Sequence, residues 1–153
     1  MNGRVPADWH VWGERASITN NPSSTILIDM VLVDTSVWID HLRVGHPNLV
    51  SLLNRNEVVI HPFVTGELAC GNLKNRIEVL SMLQDLPKVS SATDAEVLCC
   101  IEQHQLMGRG IGHIDAHLMA ATALTSPTRL WTQDKRLRTA AASLKLAYET
   151  DNN

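Results

Sequence analysis

Four acidic residues stand where predicted strands and helices meet: Asp34, Glu67, Asp115 and Asp134. Asp34 ends an apolar, β-branched run and Asp134 follows another. Both are therefore expected at the carboxyl ends of parallel strands, where open α/β sheets bind ligands. Asp115 lies in the first turn of a helix after a glycine-rich loop, and Glu67 lies inside a helix, facing partly inward. Strand ends and the helix starts that follow them share one sheet edge, so at least three of these acids are expected to approach one another.

Carboxylates gathered at one edge favour a bound cation. They repel one another, so the group must either retain a proton or recruit a positive charge. An oxygen-rich ligand set without sulfur suits Mg²⁺ or Mn²⁺, and these ions also bind phosphate oxygens. Each acid alone also has a structural interpretation, as a helix cap, a favourable charge at a helix amino terminus or a solvated helix residue. Their combination favours metal-assisted hydrolysis of a phosphodiester.

Alternating apolar patterns predict the elements that position these acids. They indicate a three-layer α/β/α domain with a central parallel sheet over residues 30–148, preceded by a poorly ordered extension (1–29) and followed by a tail (149–153). Strands are predicted at about 26–34, 57–60, 87–89 and 129–132. Helices are predicted at about 35–43, 47–54, 62–71, 74–84, 94–107, 113–125 and 134–144.

Composition narrows the class of protein. Hydrophobic residues make up 44% of the chain and charged residues 19%, which is typical of a globular domain. The three cysteines match no CxxC spacing and are expected as reduced thiols of a cytoplasmic protein. No apolar run reaches the ~18–20 residues of a membrane span. Leaving the four acids out of the formal net charge of −3 gives +1, so a nucleic-acid substrate is not excluded.

Basic and histidine side chains close to the acids complete the set of candidates. Arg109, Lys135 and Arg136 flank the acids in the sequence and are predicted to contact RNA phosphates. His113 and His117 bracket Asp115, but His117 lies roughly 200° around the helix from it. Both histidines are interpreted as packed or surface side chains rather than ligands, and no histidine or cysteine cluster is expected to offer a metal-free mechanism.

Four sequence blocks, taken in order, resemble the PIN domain and, within it, the VapC-type toxins of bacterial toxin–antitoxin pairs. The resemblance spans about residues 31–147, and only His113 departs from it, at a position where relatives often carry an aromatic residue. The blocks are VDTSVWID at 33–40 with Arg43, GEL at 66–68, GIGHIDAHL at 110–118 and WTQDKRL at 131–137.

The resemblance implies a role for each matching residue. Asp34, Glu67, Asp115 and Asp134 would be the acidic residues that bind Mg²⁺ or Mn²⁺, with Glu67 either a ligand or the base toward the attacking water. Ser36 would support the metal-bound water. The family implies an endoribonuclease toxin that cuts structured RNA such as tRNA or ribosomal RNA. It also implies a homodimer inhibited by a cognate antitoxin.

Other classes of protein account for the pattern less well. A haloacid-dehalogenase-type phosphatase requires Asp-x-Asp after the strand, but position 36 is Ser. A receiver domain carries its phosphorylated acid after a central strand rather than the first. A catalytically inert RNA- or protein-binding PIN module, and a non-toxin PIN nuclease acting on DNA or in RNA processing, remain alternatives on the same fold.

Overall fold

A computed structural model describes residues 28–150 of the chain. Within them, three strands are followed by two, four and one helices in turn. The strands are β1 (Met30–Val33), β2 (Val58–Val59) and β3 (Thr128–Trp131). The helices are α1 (Thr35–Val44), α2 (Pro47–Asn54), α3 (Pro62–Cys70), α4 (Arg76–Asp85), α5 (Asp94–Gln103), α6 (His113–Leu124) and α7 (Lys135–Ser143).

The sheet is parallel, with β1 between β2 and β3. Val31 pairs with Val58 on one side of β1 and with Arg129 on the other. Single parallel bridges extend the sheet at both sides, from Ile60 to Lys88 and from Leu130 to Ala147. The central strand is buried on both faces, which explains why its sequence is a continuous apolar run rather than an alternating one.

Helix α6 crosses the core and supports the sheet. Most of its residues are buried, and it packs against both β3 and α5. Small side chains, including Ala116, Ala120 and Ala121, permit this close approach. Helix α5 begins with a capping box, in which the Glu96 N–H donates to Thr93 Oγ1 and the Thr93 N–H donates to Glu96 Oε2 (3.2 and 2.7 Å). The capping box therefore fixes the residue at which α5 begins.

The predicted fold class, α/β with a central parallel sheet, is confirmed. The first strand was predicted too long, because β1 begins at Met30 and the exposed Ile28 lies outside it, while residues 26–27 lie outside the described range. The predicted strand at 87–89 is a single bridge, and the predicted helix at 94–107 ends at Gln103. The predicted extension, apart from residues 28–29, and the end of the predicted tail also lie outside the described residues.

Candidate active site

Asp34 is the most firmly held of the four acids. Its backbone N–H donates to Trp131 O (2.9 Å), which continues the β1–β3 pairing one residue beyond the strands. Its side chain is buried and caps α1, with Oδ1 accepting from the Thr35 N–H (2.8 Å). Oδ2 accepts from the hydroxyls of Ser36 and Thr132 (3.0 and 2.7 Å). The orientation of this carboxylate is therefore set by three donors on two different elements.

Asp134 is coupled to Asp34 through one threonine. The Thr132 hydroxyl that donates to Asp34 also accepts from the Asp134 N–H (3.1 Å). Asp134 caps α7, with its Oδ1 accepting from the N–H groups of Arg136 and Leu137 (2.8 and 3.0 Å). The cap uses Oδ1 alone, and Oδ2 of Asp134 accepts no hydrogen bond within the described residues, so this oxygen is available to a cation.

Glu67 is joined to the same edge through Thr35. The Thr35 hydroxyl donates to Glu67 Oε2, while the Thr35 N–H donates to Asp34. Glu67 is exposed on α3 rather than facing partly inward as the sequence predicted. Its Oε1 is left without a hydrogen-bond partner in the described part of the chain. The first two residues of α1 thus donate hydrogen bonds to two acids. Ser36 donates to Asp34, and Thr35 donates to both Asp34 and Glu67.

Asp115 completes the acid edge, the name used from here for Asp34, Glu67, Asp115 and Asp134. It is half-buried in the first turn of α6, where Oδ2 accepts from the Gly112 N–H (3.1 Å). Burial raises the pKa of Asp115, and the negative charges of the other three acids raise it further, while the Gly112 hydrogen bond acts in the opposite direction. All four acids are therefore close enough to interact electrostatically.

No arginine or lysine neutralises the acid edge within residues 28–150, where the ion pairs are formed by other acids. Four carboxylates without a basic partner form a site that a cation stabilises. The spacing is open, since the one described set of three potential ligand residues with atoms all within 4.8 Å of one another lies elsewhere. An open set of oxygens suits Mg²⁺, which keeps several of its own waters and uses only one or two carboxylates directly.

The three predicted RNA-binding residues lie in different surroundings. Lys135 lines a polar cleft beside the acid edge. The side chain of Arg136 packs over Gly110, where φ is +77° and an added Cβ would lie 2.6 Å from Arg136 Cδ. Arg109 reaches toward Ser143, with its guanidinium nitrogens 3.5 Å from the hydroxyl. The cleft that Lys135 lines is also formed by His46, Asn48, Trp131, Thr132, Gln133, Arg138 and Thr150.

Two threonines were not recognised as functional candidates from the sequence. Thr35 and Thr132 each connect two of the acids, and Ser36 also accepts from the Gln133 N–H (3.1 Å), which ties α1 to the segment after β3. The available signal was their position, one residue after Asp34 and two residues before Asp134. Hydroxyl side chains beside strand-end acids are suited to orienting carboxylates.

Comparison with known proteins defines the class. The PIN domain family matches residues 31–143, a range that contains every residue of the acid edge, and the chain belongs to this family. Within it, the chain is similar to Ribonuclease VapC32 of Mycobacterium tuberculosis, from strain CDC 1551 / Oshkosh and from strain ATCC 25618 / H37Rv. Each is 47% identical over 118 residues, covering 77% of this chain and 95% of the relative. The predicted resemblance to VapC-type PIN-domain proteins is confirmed.

Proposed function

We propose that this protein is a Mg²⁺- or Mn²⁺-dependent endoribonuclease that hydrolyses phosphodiester bonds in structured RNA such as tRNA or ribosomal RNA. The observation that carries the proposal is the meeting of four carboxylates at one sheet edge without a basic partner in the described chain. Membership of the PIN domain family and similarity to a ribonuclease over nearly the full length of that relative support this activity.

The residues of the acid edge have different proposed roles in catalysis. Asp34, Asp115 and Asp134 would hold the metal, each directly or through water, and Ser36 and Thr132 keep the Asp34 carboxylate in one orientation. A bound divalent ion stabilises charge on the scissile phosphate and lowers the pKa of a bound water. Glu67, exposed and with one oxygen unpartnered among the described residues, serves either as a further ligand or as the base toward the attacking water.

Substrate RNA would approach along the polar cleft that Lys135 lines beside the acid edge. Arg136 and Arg109 lie on α7 and on the loop before α6, and we assign all three side chains to phosphate contacts. Such contacts position the RNA but do not read its sequence, since phosphate groups are common to every nucleotide. Lysine and arginine at this place also offset the negative potential that four carboxylates present to an incoming polyanion.

The biological setting follows from the VapC-type similarity. We propose that the protein acts as the toxin of a toxin–antitoxin pair, that a cognate antitoxin protein inhibits it, and that it forms a homodimer. We assign the nuclease domain to residues 30–148, and the family match over residues 31–143 supports this assignment. None of the helices between residues 28 and 150 is long and apolar enough to cross a membrane. We place the protein in the cytoplasm, where its three cysteines, none in a disulfide, stay reduced.

A cleavage assay with controlled metal content tests the activity. The full chain, stripped with EDTA and dialysed, is incubated with tRNA and ribosomal RNA alone, with Mg²⁺ and with Mn²⁺. The proposal expects discrete cleavage products only after Mg²⁺ or Mn²⁺ is restored, because four carboxylates repel the scissile phosphate until a cation binds among them. Undiminished cleavage in the stripped protein, or intact RNA under every condition, would contradict it. The second result would favour an inert binding module.

A further inference from the structure

Helices α5 and α6 bring a second group of ligand side chains together. Asp94 is the first residue of α5, and His113 and His117 lie one turn apart on α6. One oxygen of Asp94 and one nitrogen of each histidine all lie within 4.8 Å of one another. Histidines at positions i and i+4 of a helix present their imidazoles on one face, a spacing that also occurs in helical zinc sites. We call this group the histidine cluster.

His117 is the residue that indicates a ligand. Its side chain is 4% exposed, yet Nε2 has no aligned hydrogen-bond partner. This nitrogen lies 3.3 Å from Asp94 Oδ1, close enough for attraction but not oriented as a hydrogen bond. Two ligand atoms of a tetrahedral zinc ion with bonds of about 2.0–2.1 Å are separated by roughly 3.3 Å. The Asp94–His117 pair already has the separation of two ligands to one Zn²⁺.

Packing alone does not account for this arrangement. Phe63 and His61 lie edge-on to the His117 ring, with ring centroids 4.8 and 6.4 Å away, and this explains why the ring is buried. It does not explain why the buried nitrogen faces a carboxylate without a hydrogen bond, because an unsatisfied buried polar atom costs about 1–3 kcal/mol.

His61 lies near His117 but is not available as a further metal ligand. Its Nδ1 accepts from the Phe63 N–H (3.0 Å), so the proton of the neutral ring is on Nε2 and neither nitrogen offers a lone pair to a metal. Three protein ligands therefore remain, and a fourth position is open to water. Asp94 and His113 are exposed, so the ion can enter from solvent.

We propose that Asp94, His113 and His117 bind one Zn²⁺ ion at a site separate from the acid edge. Two imidazoles and one carboxylate are a ligand set that zinc prefers over Mg²⁺. The ion joins the first residue of α5 to the first two turns of α6, and it adds His113 to the contact that Asp94 and His117 already make at 3.3 Å. Because Asp115 lies on the first turn of α6, the zinc also holds the segment that carries this acid. The proposal does not depend on the proposed nuclease activity.

Zinc binding to the full-length, untagged chain tests the site. The metal-free protein is titrated with Zn²⁺ against a chromophoric chelator, and the bound form is examined by zinc X-ray absorption. One equivalent is expected, with the scattering pattern of two imidazoles, which four carboxylates cannot give. His113→Ala and Asp94→Asn should each weaken Zn²⁺ binding by at least about 10- to 100-fold. That is the loss of affinity typical when a residue that only supports a metal ligand is removed, and a ligand itself should matter no less. Glu102→Gln, exposed on the same helix as Asp94, should leave it unchanged.

The acid edge supplies the opposing control. Asp34→Asn should retain the tight zinc equivalent and its imidazole scattering. The proposal is overturned if Asp34→Asn removes the bound zinc, if His113→Ala and Asp94→Asn bind as tightly as the natural chain, or if the spectrum contains only oxygen scattering. His117 is buried, so these two exposed ligands carry the test. Thermal unfolding of the metal-free variants, monitored by circular dichroism, establishes that they are folded.

Discussion

The acid edge and the histidine cluster both include residues from the first turns of α6, but their side chains are held in different ways. In the acid edge, hydroxyl or backbone N–H groups donate hydrogen bonds to all four carboxylates, and the donor to Asp115 is the Gly112 N–H. In the histidine cluster, ring packing fixes His117, while its nitrogen has no aligned hydrogen bond. We propose the first region for a hydrated hard cation and the second for a cation that binds nitrogen.

This difference shows how one short helix segment can serve two chemistries. Asp115 points toward strand ends that carry other acids, whereas His113 and His117 point toward α5 and Asp94. Burial and, after it, repulsion from the other three carboxylates raise the pKa of Asp115. The His113 and His117 rings instead pack edge to face, with their centroids 4.6 Å apart. Substitutions in either region should therefore produce separable effects.

The largest effect is expected from Asp34→Asn. Asparagine remains a good helix cap, so α1 should still form, but the anionic oxygen that a hard cation requires is lost. RNA cleavage in Mg²⁺ should fall by at least ~100-fold, the scale seen when one group that stabilises the transition state is removed. The matched control is Asp85→Asn, at an exposed helix end away from the acid edge, which should cleave normally. Equal single-turnover rates for the two folded variants would remove Asp34 from the active site.

A smaller effect is expected from Thr132→Val, which keeps the side-chain shape and removes the hydroxyl shared by Asp34 and Asp134. Loss of a residue that orients a metal ligand lowers activity about 10- to 100-fold. The free energy of unfolding of the protein should also fall by about 1–3 kcal/mol, because buried partners of the hydroxyl are left without a hydrogen bond. The comparison variant is Thr139→Val, whose exposed hydroxyl bonds only to Lys135 O. Cleavage rates and urea unfolding midpoints would be measured for both. If the two variants behave alike, the hydroxyl does not position the acids.

The double substitution Lys135→Ala with Arg136→Ala should alter RNA affinity more than chemistry. Each lost phosphate contact should reduce the slope of log Kd against log salt by about one unit. Single-turnover cleavage at saturating enzyme should change less, because neither side chain belongs to the acid edge. Arg55→Ala is the control, since Arg55 precedes β2 at the opposite end of the strands and pairs with Glu57. A salt slope that stays at the natural value would move the RNA path away from α7.

The sequence predicted the acid edge better than the histidine cluster for a physical reason. Asp34 and Asp134 follow apolar strands directly, and in a parallel sheet such positions meet at one edge whatever the helices between them do. The meeting of His117 with Asp94 depends instead on how α5 packs against α6, which the local pattern does not encode. The i and i+4 spacing of His113 and His117 was visible in the sequence, but the approach of Asp94 to both histidines was not.

Element boundaries were predicted best where the chemistry is local. Pro62 at the start of α3 and the Thr93 capping box before α5 mark helix starts that the sequence identified correctly. The sides of the sheet were harder, because Lys88 and Ala147 each contribute one bridge and no strand-length pattern. The linking roles of Thr35 and Thr132 also required the structure, since each hydroxyl bonds to an acid on a different element.

The most direct test of the acid edge is a Mn²⁺ titration followed by electron paramagnetic resonance, which measures the free ion without any RNA. The natural chain should bind Mn²⁺, and Asp34→Asn with Asp134→Asn should weaken that binding by at least about 10-fold, because two anionic ligands are lost while both helix caps remain. His113→Ala should bind Mn²⁺ as the natural chain does, because its imidazole lies outside the acid edge. If the Asp34/Asp134 variant binds Mn²⁺ as tightly as the natural chain, the acid edge is not the metal site.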